Sequence, residues 1–430
     1  MSQAQEFGTT KAREAQREKD NKKANHEDTK KDDAREARKQ KVLSVFVSSW
    51  LEFSWFSVSL CLCGESSFIG APRFDVPRQR VGAIVNERWT KRPEGSNWGD
   101  FGADDQRGRI NLLTPEKVLQ GIAEVKVGKA FCLSLPLDRP GRGLLPARHP
   151  PRRFATIRHK GMPTHNFRMS VVIPQATDVI NDDAVLIHTQ FSTQWDSLAH
   201  VGSMFDVMGD GKPLPVFYNG WRGDLHIVAP RENPDAHDWL RFEGMEAKAL
   251  GIQNMAETGV QGRGVLIDLH ALFGREGKLV GYDDLMRACE SGGAAVETGD
   301  MVCLYTGFGD VLLEMGADTD VKALHASCAR LDGRDQRLLQ WITDSGLAVL
   351  IADNYAVEAV PGTPRAGACA ALPLHEHCLF KLGVHLGELW HLSALAAWLR
   401  EHGRTRFLLT APPLRLPGAV GSPATPVATV

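Results

Sequence analysis

RGVLIDLHALFGREGKLVGYDDLMRACESGGAAVETGDMVCLYTGF, residues 263–308, carries the reading of the fold. RGVLIDLH is a short apolar run of strand type. YDDLMRACESGG has helical spacing and stops at glycines. DMVCLYTGF is a second strand-type run. The pattern continues downstream: GRDQRLLQWITDSG predicts a helix, LAVLIADN a strand, LFKLGVHLGEL a strand, LSALAAWLREHG a helix and RFLLTAP a strand. Upstream, NLLTPEKVLQGIAEV predicts a helix with Thr114 as N-cap and Pro115 at its first position. Residues 130–137 (AFCLSLPL) and 184–190 (AVLIHTQ) read as strands. Strands alternating with short helices predict one α/β domain over 97–412, with a mixed sheet flanked by helices.

The flanks differ. Residues 413–430 are rich in Pro and Ala and read as a loose tail. Residues 1–41 read as a non-globular extension, because 11–41 are mostly charge without large apolar side chains and cannot bury a core. Residues 42–63, VLSVFVSSWLEFSWFSVSLCLC, are long enough to cross a bilayer and follow a basic stretch. Glu52, the serines and some forty preceding residues argue against an anchor or a secretory leader. Residues 64–96 read as a linker.

Composition excludes some function classes. The hydrophobic fraction is 43% and the charged fraction 24%, ordinary for a globular protein. A net charge of −2 supplies no global field for nucleic acid or membrane. Eight cysteines, with no CxxC, make neither a disulfide scaffold nor a zinc finger. A reducing, cytoplasmic setting is the expectation, with membrane contact through 42–63 as its alternative. No GxGxxG, Walker loop or GxSxG occurs.

The chemistry concentrates in QFSTQWDSLAH, residues 190–200. His188 and Gln190 share one face of the preceding strand. Thr193, Gln194, Asp196 and His200 then crowd into a turn or early helix. A carboxylate that holds a metal or a water, beside a histidine that takes a proton near neutral pH, makes a hydrolytic pair. The bland alternative is a capping Asp196 and a hydrogen-bonded core His200.

This stretch resembles the signature of the cyclase family that includes kynurenine formamidase and isatin hydrolase. The family pattern is HxGTHxDxPxH; the chain reads QxSTQxDxLxH, with Gln190, Gln194, Asp196 and His200 at the functional positions. WGDFGADDQRGRINLLTPEKV, LSLPLDRPG, DGKPLPVFYNG, RGVLIDLH and LPLHEHCLFKLGVHLGELWHLSALA also resemble a long-chain bacterial branch that carries TQWD in place of THxD. The resemblance spans roughly residues 97–412 and implies the family's swivelling β/β/α fold.

It further implies a divalent ion (Mn, Mg or Zn) held by Asp196, His375 and Glu388, with His377 as a competing register. Gln190 and Gln194 stand where the family has two ligating histidines. His200 maps to the proton-transfer residue. An amide oxygen is a neutral, hard donor, poor for zinc and better for magnesium, calcium or manganese. Without a metal, the two amides could instead donate to a substrate carbonyl. His188 is a candidate replacement ligand.

Thr193, Trp195 and Tyr218 are candidate substrate contacts, with Trp221 and Asn219 near them; core packing is the rival reading for the aromatics. His165 is a candidate at the entrance, and Asp353 and Asn354 end a strand where α/β domains bind ligands. The implied activity is hydrolysis of a small aryl or cyclic amide, N-formylkynurenine to kynurenine and formate being the family default. Lactam or lactone ring hydrolysis or formation is one alternative. A small-molecule-binding protein that has lost its metal is the other. No nucleic-acid partner and a homo-oligomer are expected.

Overall fold

MVCLY is buried at all five positions, which a strand achieves only with material packed on both faces. In the computed structural model, which describes residues 88–141, 144–235 and 240–430, this run lies in a nine-stranded sheet. The strands are β1 (Ala130–Cys132), β2 (Gln194–Asp196), β3 (Gln261–Asp268), β4 (Met301–Tyr305), β5 (Val349–Ala352), β6 (His385–Glu388), β7 (Arg406–Thr410), β8 (Gly421–Pro423) and β9 (Val427–Thr429). Their spatial order is β1-β9-β7-β3-β4-β5-β6-β2-β8. The middle four, β3 to β6, run parallel, and the flanking pairs are antiparallel. The sheet is therefore mixed, as expected.

Alternation along the strands divides the core in two. Ile267, Val302, Leu304, Leu350 and Leu386 face one side, where Leu285 and Ala288 of α2 (Tyr282–Gly292) and Leu338 and Ile342 of α3 (Gln336–Ser345) cover them. Leu266, Met301, Cys303 and Ile351 face the other, under Leu395, Ala396 and Leu399 of α4 (Ser393–Glu401). Each large apolar side chain so buried contributes about 1.5–3 kcal/mol. The helix α1 (Pro115–Ala123) starts as predicted, with the Thr114 hydroxyl accepting from Lys117 N.

Four local readings need correction. Residues 413–430 are not loose: Ser422, Ala424 and Ala428 are buried, β9 lies between β1 and β7, and β8 pairs with β2. The run LFKLGVHLGEL is not one strand. Glu376–Leu382 forms a π-helical turn, and only His385–Glu388 is extended. Gly383 reverses the chain between them at φ 61°, and a Cβ on Gly108 would fall 2.1 Å from its carbonyl oxygen. Two backbones meet there with no room for side chains.

The described end of the 64–96 linker is docked. Trp89 packs on Trp98 at 6.2 Å, and the amides of Thr90 and Lys91 donate to Val207 O. Of 184–190, only Asp183–Leu186 pairs as a strand, with Arg152–Ala155. Residues 1–41, 42–63 and 64–87, and the extension and membrane readings placed on them, lie outside the described residues. Among the described residues no helix is long and apolar enough to cross a membrane.

Candidate metal centre

The residues expected to form a turn after Thr193 instead form β2, which inserts between β6 and β8. The register sets Gln194 opposite Glu388 and Asp196 opposite Leu386. Period-two alternation then sends Gln194 and Asp196 to one face and Trp195 to the other. Glu388 ends β6 at the carboxyl edge of the parallel strands, the edge that serves ligand sites in α/β domains. His375, just before the π-helical turn, is the third arrival.

One ligand atom each from Asp196, His375 and Glu388 lie within 4.8 Å of one another, and all three side chains are buried. His375 Nε2 is 3.3 Å from Glu388 Oε1. The Gln194 amide donates to Glu388 Oε2 at 2.8 Å and reaches Asp196 Oδ1 at 3.5 Å. Asp196 Oδ2 and Gln194 Oε1 are buried without hydrogen-bond partners.

Two buried carboxylates this close repel. Burial pushes Glu388 upward and the Asp196 charge adds to it, against the pull of His375. Burial alone would lower His375, but Glu358 and Glu388 outweigh it and hold the imidazolium far above its ordinary range. Orphaned acceptors, paired acids and one imidazole make a hard, anionic donor set that fits a divalent cation.

The chain turns back after Asp196, with His200 N donating to Ser197 O, and brings His200 Nε2 to 3.8 Å from Asp196 Oδ1. The other ring nitrogen, Nδ1, lies 3.4 Å from Gln190 Nε2. The amide on the Nδ1 side and the carboxylate on the Nε2 side hold the ring between them. Burial lowers His200. Asp196 opposes that, and His375 and Arg148 reinforce it. Gln190 is thus a neighbour of His200, with its own Oε1 accepting from Thr189.

The remaining candidates separate cleanly. His377 bonds Thr343 Oγ1 through Nε2 at 2.9 Å, and it is His375 that meets Asp196 and Glu388. His188 is not in the ligand cluster; its ring lies edge-on to His149. The substrate-contact readings of Thr193, Trp195 and Tyr218 are corrected. Thr193 Oγ1 donates to Leu389 O at 2.5 Å and accepts from Leu135 N. Trp195 packs edge-on against Trp390 in the opposite core and donates to Ala411 O. Tyr218 is wholly buried in the core beside Trp98 and against Gly383.

Asn219 donates to the carbonyls of Gly102, Ala103 and Asp105, and Trp221 also donates to Asp105 O. Asp353 holds Thr306 and Gly307, and Asn354 holds Val357. His165 is exposed on its loop.

Two residues escaped the sequence reading. Glu358, 1% exposed, meets His375 Nδ1 at 2.7 Å. Arg148 donates to Gln190 O at 2.9 Å, and its charge is felt at His200. The only signal for Glu358 was an acid inside the apolar run AVEAV, a costly place for a charge without a partner.

A family model described as "Putative cyclase" matches residues 132–359. A solved structure of a novel cyclase is 31% identical over 78% of this chain and 97% of its own, with a TM-score of 0.59. Isatin hydrolase A from Labrenzia aggregata is 15% identical over 70% of this chain and 93% of its own, TM-score 0.44. The enzyme of the same name from Ralstonia solanacearum is 15% identical over 70% and 91%, TM-score 0.43. No curated protein matches.

Proposed function

The chain belongs to the cyclase family, and on that premise we propose that it is a metal-assisted hydrolase of a small aryl or cyclic amide. N-formylkynurenine is the substrate this reading tests first, with lactams and lactones beside it. The observation that carries the proposal is the convergence of Asp196, His375 and Glu388 within 4.8 Å, with His200 a further 3.8 Å from Asp196.

Asp196, His375 and Glu388 would hold the ion, and their two carboxylates favour manganese or magnesium over zinc. When bound, such an ion supplies Lewis-acid polarisation and a more acidic water. His200 moves the proton. It takes one from the attacking water as the oxygen joins the carbonyl carbon, and delivers it to the nitrogen as the C–N bond breaks. Asp196 orients the ring from the Nε2 side and Gln190 from the Nδ1 side. Arg148, near this pair, favours the anion that hydrolysis produces.

A second reading has its own observation. Gln194 donates to both carboxylates, so a neutral amide bridges the acids where a cation would sit. That arrangement supports a metal-free binding protein for a small ligand. The deciding experiment is a hydrolysis screen of the full chain over N-formylkynurenine, isatin and simple lactones, with added Mn²⁺, Mg²⁺ or Zn²⁺. Turnover abolished by EDTA and restored by one ion supports the hydrolase. Turnover indifferent to EDTA sinks the metal mechanism, and no turnover with retained ligand binding favours the second reading.

A further inference from the structure

Glu358 lies outside the ligand cluster, yet three donors converge on it. Its Oε1 accepts from His375 N at 2.9 Å and meets His375 Nδ1 at 2.7 Å. Its Oε2 accepts from Leu374 N at 3.0 Å. The space it needs is kept open by Gly333, where a Cβ would fall 2.2 Å from Glu358 Oε2. A carboxylate this buried is retained at a cost unless its donors are ordered for it.

We infer that Glu358 is a positioning residue that fixes the orientation of the His375 ring. An imidazole can present either nitrogen to a neighbour, and which one is decided by the bond the other makes. With Nδ1–H held by Glu358, Nε2 is the nitrogen that faces Glu388, at 3.3 Å, and with it the centre. The two backbone amides bonded to the same carboxylate stop it from swinging away with the ring. Rotation of the His375 ring thus breaks its bond to Oε1 of a carboxylate that backbone amides hold in place at both oxygens. The role concerns assembly of the centre and holds whatever the substrate is.

Mn²⁺ titration by calorimetry tests it on the full chain. Glu358→Gln should weaken Mn²⁺ binding about tenfold and Glu358→Ala about 100-fold, the span usual for partners behind a metal-bound histidine. Asp353→Asn is the control: another buried carboxylate that bonds backbone amides, but at Thr306 and Gly307. It should lower Tm while leaving the Mn²⁺ affinity unchanged.

Equal weakening by Asp353→Asn and Glu358→Gln, or none by either Glu358 variant, overturns the inference. So does a wild type that binds no Mn²⁺. A measurement independent of any variant uses long-range ¹⁵N spectra of the wild type with Mg²⁺. His375 should keep its proton on Nδ1, and a ring protonated on Nε2 instead overturns the assignment.

Discussion

Acid should unfold this protein partly through one histidine outside the candidate ligand cluster. His385 starts β6 opposite Val349, is 2% exposed, and has no hydrogen-bond partner at Nδ1. Burial alone pushes it down to about 3. The unfolded chain would protonate it near ~6.5. Between those values the unfolded state binds the proton and the folded state does not, so stability falls as pH falls. From pH 7 to pH 5 the loss assigned to His385 is about 2 kcal/mol.

His377, lowered to about 4 mainly by burial, adds a loss of the same sign over the upper part of that window. His385→Leu removes the His385 part only. Urea unfolding followed by tryptophan fluorescence, in EDTA at pH 7, 6 and 5, reads it out. The wild type should lose about 2 kcal/mol more than the variant between pH 7 and pH 5. Parallel losses in the two proteins, within about 0.5 kcal/mol, would refute a neutral buried His385.

His200→Ala should lower kcat by about 10²–10⁴ while the Mn²⁺ Kd stays as in wild type; unchanged turnover refutes the proton-transfer role. Gln194→His replaces the amide that bonds Glu388 with an imidazole. Zn²⁺ affinity should rise relative to Mn²⁺, and competition titration checks it. Trp195→Ala should cost about 3–5 kcal/mol of stability, because Trp195 is wholly buried against Trp390. Its folded fraction should keep the wild-type KM, and a large rise in KM would return Trp195 to the substrate pocket.

The central strands were legible because each is a long apolar run whose partners follow in order. β2 was not. Three residues are too few for a period to show, and both neighbours come from distant sequence. The segment ending at Leu382 has the apolar content of a strand but the hydrogen bonds of a wide helical turn. Only the close approach of Gly108 and Gly383 dictates the reversal that follows it.

At the site, Asp196, His375 and Glu388 were named through the family pattern, yet their juxtaposition follows from the register of β2 on β6. Thr193, Trp195 and Tyr218 were misplaced for one reason. A polar or aromatic side chain next to a site in sequence can point through the sheet or into the core.

The place of β2 in the sheet also bears on how the protein is made. Gln194 leaves the ribosome 194 positions before Glu388, its partner across the ladder, and earlier still than Gly421–Pro423 on its other side. Until both arrive, QWD is an open-sided strand with Trp195 uncovered, a species prone to pair with the wrong chain. Contacts of such high sequence separation form slowly. The centre is thus completed only when distant parts of the chain have met, so its assembly and the closing of the sheet are one late event.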